Sequence, residues 1–197
     1  MQTRTKQSRS FHHCESGVEP APEPLCTIVT ITAVLGLRVG ETLALRVADI
    51  DFAKKIIRIR QSVDADTRVV GAVKSRASSA DLPMPEPLAA RLRAYLDKHD
   101  GKSELLFTNR RGRPYSANKL RAKVLHPLLD RLGIARGGSH AIRHGVASAL
   151  LADGATPAVV QRQLRHSDAR ITLGIYGHLV GDEQRDAVAN RSARLVN

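Results

Sequence analysis

The 197-residue chain contains no tryptophan and only three phenylalanines and three tyrosines. Its core must therefore be aliphatic, and stacking of bases on aromatic side chains is not expected to be a main binding mode. Two cysteines do not make a disulfide framework, which favours a reducing compartment. No apolar run is long enough to span a membrane, and the basic N-terminus leads into no apolar segment of the kind found in secretory signals.

Groups of metal-ligating or phosphate-cradling residues are also scarce. Asp49 and Asp51 are close in sequence, but no set of carboxylates has the ligand spacing of a metal-dependent nuclease. No Walker-type Gly-rich loop is present, so ATP is not implied. The histidine–cysteine cluster His12–Cys14, taken with Cys26, matches no standard zinc pattern. We therefore expect neither a metal nor a small-molecule cofactor.

Positive charge is what the sequence has in excess. Lys and Arg number 31 against 19 Asp and Glu, which gives a formal charge of +12. Such an excess attracts polyanions, and arginine, the commoner of the two cations here, suits bidentate contact with phosphate. The charge predicts nucleic-acid binding, with a basic but inert surface or a ribosomal-type protein as the alternatives.

The chain divides into three parts. Residues 1–24 are polar and then Pro-rich, and are expected to form an irregular lead. Residues 25–181 have the patterning of one folded domain. Residues 182–197 are helical in pattern, but their apolar face is thin, so we expect this tail to dock on another surface, with a neighbouring protomer as the candidate.

Helical spacing dominates the folded part. It predicts helices over 25–37 (where β-branched residues leave a strand open), in 40–51, over 86–99, from Ser116 to Gly133, and from His140 with Ser139 as its cap. Thr156-Pro157 is a strong helix start, and that helix should end near Arg165. Three short strands in 51–83 should form an antiparallel sheet at the edge of the helices. The fold class is α+β, mainly helical.

The helix that begins at His140 separates two kinds of residue. At about 100° per residue its apolar side carries Ile142, Val146, Ala149 and Leu150. His140 and His144 fall on the opposite, polar side, and Arg143 lies at the edge of that side. The polar residues are therefore placed to meet a ligand.

Six polar residues have no obvious structural duty: Arg38, Lys74, His140, Arg143, His166 and Tyr176. Two arginines can hold the non-bridging oxygens of a phosphodiester and stabilise its transition state. A tyrosine can be a covalent nucleophile, a histidine can accept its proton, and a lysine can protonate the leaving hydroxyl. Together they are the parts needed for metal-free transesterification at a DNA phosphate.

Five separated segments, in one consistent order, resemble the boxes of the tyrosine recombinases, the phage-integrase family. They are GLRVGETLALRVADID, VKSRASSADLPMP, ELLFTNRRGRPYS, HAIRH and LRHSDARITLGIYGHL. They resemble, respectively, the first arginine box, the lysine-bearing β-hairpin, a linker pattern, the HxLRH box and the box that ends in the tyrosine. The resemblance runs from about residue 25 to 190. It implies the helical catalytic domain of that family, with a small three-stranded antiparallel sheet at one edge.

The resemblance also implies a role for each residue. Arg38 and Arg143 would clamp the scissile phosphate, and His166 would hydrogen-bond it. Tyr176 would attack to give a 3′-phosphotyrosyl intermediate. Four residues would have supporting roles: His140 in proton transfer from the nucleophile, Lys74 as proton donor to the leaving 5′-hydroxyl, Glu41 in orienting the site, and His144 in packing behind it. Neither metal nor ATP would be required, because the bond energy is kept in the adduct.

Several residues have plainer readings that stay open. Arg38 could simply cap a helix, and Arg76 is the nearest rival of Lys74, although a guanidinium is a poor proton donor at neutral pH. Tyr95 and Tyr115 are expected in core or turn positions, and His178 in a structural one.

The sequence departs from the family pattern in three places. Arg165 stands where a glycine is usual, and it fits only if its φ stays negative or the strain is tolerated. Ile171-Thr172 replaces a pair of threonines. We also expect no N-terminal core-binding domain, so that DNA binding would be weak and strongly dependent on salt.

The resemblance predicts double-stranded DNA as the partner. It also predicts self-association, as a tetramer on DNA, through the C-terminal tail. The protein would act in the cytoplasm, at the nucleoid, and be encoded by a prokaryote or a phage. Two alternatives to a site-specific recombinase remain at this point: a DNA-binding remnant that cannot complete recombination, and a basic RNA- or ribosome-binding module.

Overall fold

The computed structural model describes residues 22–73, 78–99, 101–131, 133, 135–166, 168, 170, 172 and 174, with the side chains of Ser139 and His140 excepted. The irregular lead expected over 1–24 lies almost wholly outside these residues, and the tail at 182–197 lies wholly outside them. Within them, no helix is both long and apolar enough to cross a bilayer.

The larger core forms around the first helix. Helix α1 (Leu25–Leu35) has buried residues on most of its surface, and it packs against α2 (Val39–Leu43), α3 (Glu86–Leu96) and α6 (Ser139–Ala152). The helix predicted here is confirmed, and the strand alternative is wrong. The segment at 105–107 completes this core with Leu106 and Phe107, both fully buried. Tyr95 packs against Phe107 and its hydroxyl donates to the Leu106 carbonyl at 3.2 Å, as expected of a core tyrosine.

The β region forms two small sheets where one was expected. Strands β1 (Ile50–Asp51), β2 (Ile56–Ile59) and β5 (Ala80–Pro83) make a three-stranded antiparallel sheet. Strands β3 (Gln61–Val63) and β4 (Val70–Ala72) pair separately. The run predicted as one strand changes partner at Arg60, whose carbonyl accepts from the Val73 amide at 3.2 Å.

The middle helices follow their predicted caps. The Ser116 side chain accepts from the Lys119 amide, and α4 (Ala117–Leu120) begins there. A single π-helical stretch, Arg121–Leu125, joins α4 to α5 (His126–Arg131). Gly133, with φ +62, follows the last helical residues as predicted.

Helices α6 and α7 (Pro157–Leu164) enclose a second, smaller core made of Val146, Ala147, Val160 and Leu164. Thr156 caps α7 by accepting from the Val159 amide, as predicted. The expected capping by Ser139 is wrong: Gly138 occupies the N-cap position and Ser139 is the first residue of α6. The apolar side of α6 also includes Ala147, which is fully buried.

Candidate active site

The C-terminal end of α1 is where the two cores meet. Gly36 ends the helix with φ +64, and a Cβ there would overlap the Leu164 side chain of α7. The Gly36 carbonyl accepts from Arg143 Nη1 at 2.7 Å, and the Leu35 carbonyl accepts from Gln163 Nε2 at 3.2 Å. The last carbonyls of a helix lack partners within it, and a cation there is favoured by the helix dipole. Side chains of α6 and α7 are therefore held against the end of α1.

Arg143, which the sequence places at the edge of the polar side of α6, is buried, with 6% of its surface exposed. Its Nε donates to His166 Nε2 at 3.3 Å, while Nη2 is buried with no hydrogen-bond partner among the described residues. Burial, together with the charges of Arg38 and Arg165, lowers the pKa of Arg143 to about 10. The side chain stays charged at neutral pH, and an unmatched buried donor on a cation is suited to receive an anion.

His166 lies just beyond α7 and is held in one tautomer. An arginine Nε only donates, so Nε2 of the imidazole must accept and the ring proton must lie on Nδ1. That Nδ1 then donates to Thr172 Oγ1 at 2.8 Å. Burial, and after it the charges of Arg143 and Arg38, lowers the pKa of His166 to about 4. The imidazole is therefore neutral at pH 7.

Arg38 serves both as a helix cap and as a member of the site. It occupies the N-cap of α2, and its amide donates to Glu41 Oε2 at 2.9 Å. Its Nη1 donates to Glu41 Oε1 at 2.9 Å and approaches Ser78 Oγ at 3.4 Å. The plainer reading of Arg38 as a cap is correct for its backbone, while its guanidinium lies beside the buried carboxylate of Glu41.

Arg165 has left-handed backbone angles, φ 54 and ψ 46, directly after α7. An arginine was expected here only with a negative φ or with tolerated strain, and the positive φ shows that the strained conformation is adopted. The side chain is buried, and its Nη2 forms an ion pair with Glu41 Oε2. Glu41 thus contacts two arginines that come from opposite ends of the folded domain.

The fold brings together four of the predicted residues: Arg38, Glu41, Arg143 and His166. His144 is exposed, and its charge is among those that lower the pKa of His166. His140 belongs to α6, but its side chain is not described. Lys74, its rival Arg76 and Tyr176 lie outside the described residues, as does His178.

Three contributors to the site were not predicted: the Gly36 carbonyl, Ser78 and the ion pair of Arg165. The sequence signalled only the last of them, through the arginine at a position where the family has glycine. Thr172, the second residue of the altered threonine pair, keeps its hydroxyl on His166.

The carboxylates that could have suggested a metal nuclease are paired with arginines. Asp49 contacts Arg46, and Asp51 contacts Arg58. Among the residues that the structure describes, no group of three or more His, Cys, Asp or Glu side chains could hold a metal ion. Cys26 is buried in α1, and the cluster His12–Cys14 falls outside the description.

Solved structures of integrases and recombinases share this fold. The Tn1549 transposon integrase in complex with circular intermediate DNA superposes with a TM-score of 0.77 at 19% identity, over 96% of this chain and 66% of that one. The XerA recombinase crystal structure superposes with a TM-score of 0.69 at 23% identity, over 94% of this chain and 61% of that one. The mainly helical class with a small antiparallel sheet is thus confirmed as the fold of tyrosine recombinase catalytic domains.

The sequence has relatives of the same kind. Tyrosine recombinase XerA of Thermococcus onnurineus is 34% identical over 166 residues, which cover 82% of this chain and 52% of the relative. Tyrosine recombinase XerD of Corynebacterium glutamicum is 36% identical over 152 residues, 77% of this chain and 47% of the relative. The chain thus spans about half the length of the curated relatives it matches. The phage integrase family profile matches residues 3–182, and the chain belongs to the phage integrase family.

Proposed function

We propose that this chain is the catalytic domain of a site-specific recombinase that cuts and rejoins double-stranded DNA through a 3′-phosphotyrosyl intermediate, without metal or ATP. The observation that carries the proposal is the buried Arg143 guanidinium, whose Nη2 has no hydrogen-bond partner among the described residues. It lies in a cluster where the three arginines Arg38, Arg143 and Arg165 face one carboxylate, Glu41, so the formal charge is 3 − 1 = +2. A phosphodiester anion is the ligand that such a site suits.

Arg38 and Arg143 would hold the two non-bridging oxygens of the scissile phosphate. Arg143 is fixed by the Gly36 carbonyl and keeps Nη2 for the ligand, whereas Arg38 is fixed by Glu41 and is partly exposed. Guanidinium groups that are already oriented stabilise the added charge of the pentacoordinate transition state without reorganising. This assigns the clamp to residues held by contacts within the protein.

Chemistry would begin when the Tyr176 oxygen attacks phosphorus and the bond from phosphorus to the 5′-oxygen breaks. The phenolic proton passes to His140, and Lys74 supplies a proton to the departing 5′-hydroxyl. A 5′-hydroxyl from another strand then attacks the phosphotyrosine, which reverses these transfers and rejoins the DNA. Ser78, the first described residue after the segment that carries Lys74, lies 3.4 Å from Arg38, which supports a lysine in this part of the site.

His166 would change its protonation when the phosphate arrives. Its Nε2 accepts from Arg143, so it has no proton there to donate to an anion. A nearby negative charge favours the protonated imidazole. We therefore expect phosphate binding to raise the pKa of His166 from about 4 and to draw a proton onto Nε2.

A covalent-trapping experiment tests the activity. Pooled random duplexes with a nick near the centre allow a cleaved strand end to diffuse away, which traps any phosphotyrosyl adduct. We expect an SDS-resistant protein–DNA adduct that forms equally with and without EDTA. Peptide mapping should place the DNA on Tyr176.

Tyrosine substitutions provide the controls. Tyr176→Phe should abolish the adduct, whereas Tyr115→Phe should leave it intact. An adduct that survives Tyr176→Phe, or one that needs a divalent metal, would contradict the proposed chemistry. Duplex binding without any adduct on a pool that contains the bound sequences would indicate a DNA-binding remnant.

We also infer that the tail at 182–197 docks on a neighbouring protomer, so that the protein acts as a tetramer on DNA at the nucleoid. The sequence pattern of this tail supports the inference, because a helical segment with so few apolar residues is stabilised mainly by docking on another surface. Truncation after His178 should reduce DNA-dependent self-association in sedimentation velocity. Unchanged self-association would refute this role of the tail.

A further inference from the structure

A buried arginine in a left-handed conformation is the least expected feature of the site. Arg165 has φ 54 and is 4% exposed. An L-residue in this region is strained where glycine is not, and such strain persists when the surrounding contacts over-determine it. The contacts of the Arg165 side chain must therefore compensate for the strain of its backbone, and they indicate which interaction the strained conformation makes possible.

Those contacts lead to one acidic residue. Arg165 Nη2 pairs with Glu41 Oε2, and both side chains are 2% exposed. Nη1 donates to the Gln163 carbonyl at 3.4 Å, in the last turn of α7. The guanidinium thus joins the C-terminal end of α7 to α2, across 124 positions of sequence.

Both carboxylate oxygens of Glu41 accept hydrogen bonds, and the donors come from two arginines. Oε1 accepts from Arg38 Nη1, while Oε2 accepts from the Arg38 amide and from Arg165. With glycine at position 165 the Glu41 carboxylate would pair with Arg38 alone. The formal charge of the remaining cluster, two arginines and one carboxylate, would be +1. With arginine it is +2, because one carboxylate is shared.

We propose that Arg165 is a positioning residue of the phosphate site: it fixes Glu41 by pairing with Oε2, and it adds a third positive charge, buried like that of Arg143, that strengthens the binding of a phosphodiester anion. The inference rests on the proposed function only in taking Arg38 and Arg143 as the phosphate clamp. It concerns the ground-state affinity of the site for phosphate, which is measured separately from strand cleavage.

Two observations favour this role over a purely structural ion pair. Burial is the largest cause of the lowered pKa of Arg143 and of His166, and the charge of Arg165 adds to it at both groups. Moreover, the Arg165 Nε is buried with no hydrogen-bond partner among the described residues. An arginine kept only for stability would be poorly served by an unmatched buried donor, since such a group is costly to leave unsatisfied.

Three substitutions separate the charge of Arg165 from its backbone strain. Arg165→Met removes the charge and keeps much of the stem. Arg165→Gly also removes the strain, and Arg165→Lys keeps the charge. Arg46→Met is the matched control, because it likewise removes one positive charge from an ion pair, with Asp49, and Arg46 is not among the groups whose charge acts on His166.

The measurement is a titration of the full chain with inorganic phosphate, followed by NMR at the His166 ring signals. A His166→Gln variant assigns these signals among the eight histidines. Arg165→Met and Arg165→Gly should weaken the Kd for phosphate about tenfold, while Arg165→Lys and Arg46→Met should stay within about threefold. In the absence of phosphate, the pKa of His166 should rise in the Met and Gly variants and stay unchanged in the control.

The inference is overturned if the Met and Gly variants bind phosphate like the unmodified chain while only their unfolding midpoint changes, since Arg165 would then be structural alone. It is also overturned if the unmodified chain shows no saturable phosphate binding. Failure to form a phosphotyrosyl adduct would refute the proposed activity and leave a phosphate affinity that depends on Arg165 in place. The two ideas can therefore fail separately.

Discussion

Removing the charge of Glu41 should destabilise the fold severely. Glu41 is 2% exposed, and its carboxylate accepts from the Arg38 amide, the Arg38 guanidinium and the Arg165 guanidinium. In Glu41→Gln the side chain keeps its size, but one acceptor oxygen becomes an NH2 donor that faces other donors. Arg165, itself 2% exposed in its side chain, is then a buried cation that has lost the carboxylate with which it pairs.

The magnitude follows from the burial of both partners. Breaking a buried ion pair from one side costs about 3–5 kcal/mol, because the remaining charge stays out of water. Native domains are stable by only about 5–15 kcal/mol. For a domain of this size each kcal/mol shifts the melting temperature by about 2–4 °C, so Glu41→Gln should lower Tm by about 6–20 °C.

Asp49→Asn is the matched control. Asp49 is also buried, at 4% exposure, and it accepts three hydrogen bonds, all from Arg46. The Arg46 side chain is 35% exposed, so it can turn to water when its partner is lost. We expect a loss of only about 1–2 kcal/mol, that of a helix cap and its hydrogen bonds.

Thermal and urea unfolding, followed by circular dichroism, measure both variants. The double variant Glu41→Gln/Arg165→Met should recover about 1–3 kcal/mol relative to the sum of the single changes, because the stranded cation is gone. The reasoning is refuted if Glu41→Gln costs no more than Asp49→Asn. It is equally refuted if the two changes at Glu41 and Arg165 are additive.

Three further predictions concern pH, packing and salt. The folded-state pKa of His166, about 4, lies below its ordinary value of 6.5, so the unfolded chain binds more protons between these pH values. The contribution of neutral His166 to the free energy of unfolding should be fully present above pH 6.5 and should fall as the pH drops toward 4. His166→Gln should flatten this dependence on pH, as measured by urea unfolding at a series of pH values. Gly36→Ala should lower the free energy of unfolding by about 2–4 kcal/mol, because φ is +64 and the new Cβ would overlap Leu164. Gly112→Ala is the control: its φ is +68 but the space around it is open, so the loss should be about 1 kcal/mol in the same assay. Equal losses in the two variants would contradict the packing argument. Finally, Arg38→Ala should reduce the slope of log affinity against log salt for a non-specific duplex by about 0.9, measured by fluorescence anisotropy, and an unchanged slope would mean that Arg38 contacts no phosphate.

Much of the fold could be predicted because its signals are local. The apolar run at 25–37 contains α1, and Ser116 and Thr156 cap the helices that follow them. Caps and periodicity act within one or two turns of chain, so they survive in any tertiary context. Ser139 was misplaced by one residue, since Gly138 can occupy the same cap position.

The sheets were less predictable. Nothing in the run through Ile59 and Arg60 indicates that pairing passes from β5 to β4 at that point. Strand partners are chosen by distant segments, and alternation of side chains alone does not select among them. For this reason one predicted three-stranded sheet became two sheets.

The sequence by itself determined the family, the mainly helical class and four residues that the structure brings together, Arg38, Glu41, Arg143 and His166, because these depend on residue types in a fixed order. Only the tertiary structure decided how those residues are held. Arg143 is buried against a carbonyl 107 positions away, and Arg165 pairs with Glu41 124 positions away. Both contacts exist because the end of α1 is packed against α6 and α7. Hydrogen-bond partners at that separation are set by how helices pack, which no local pattern of residues encodes.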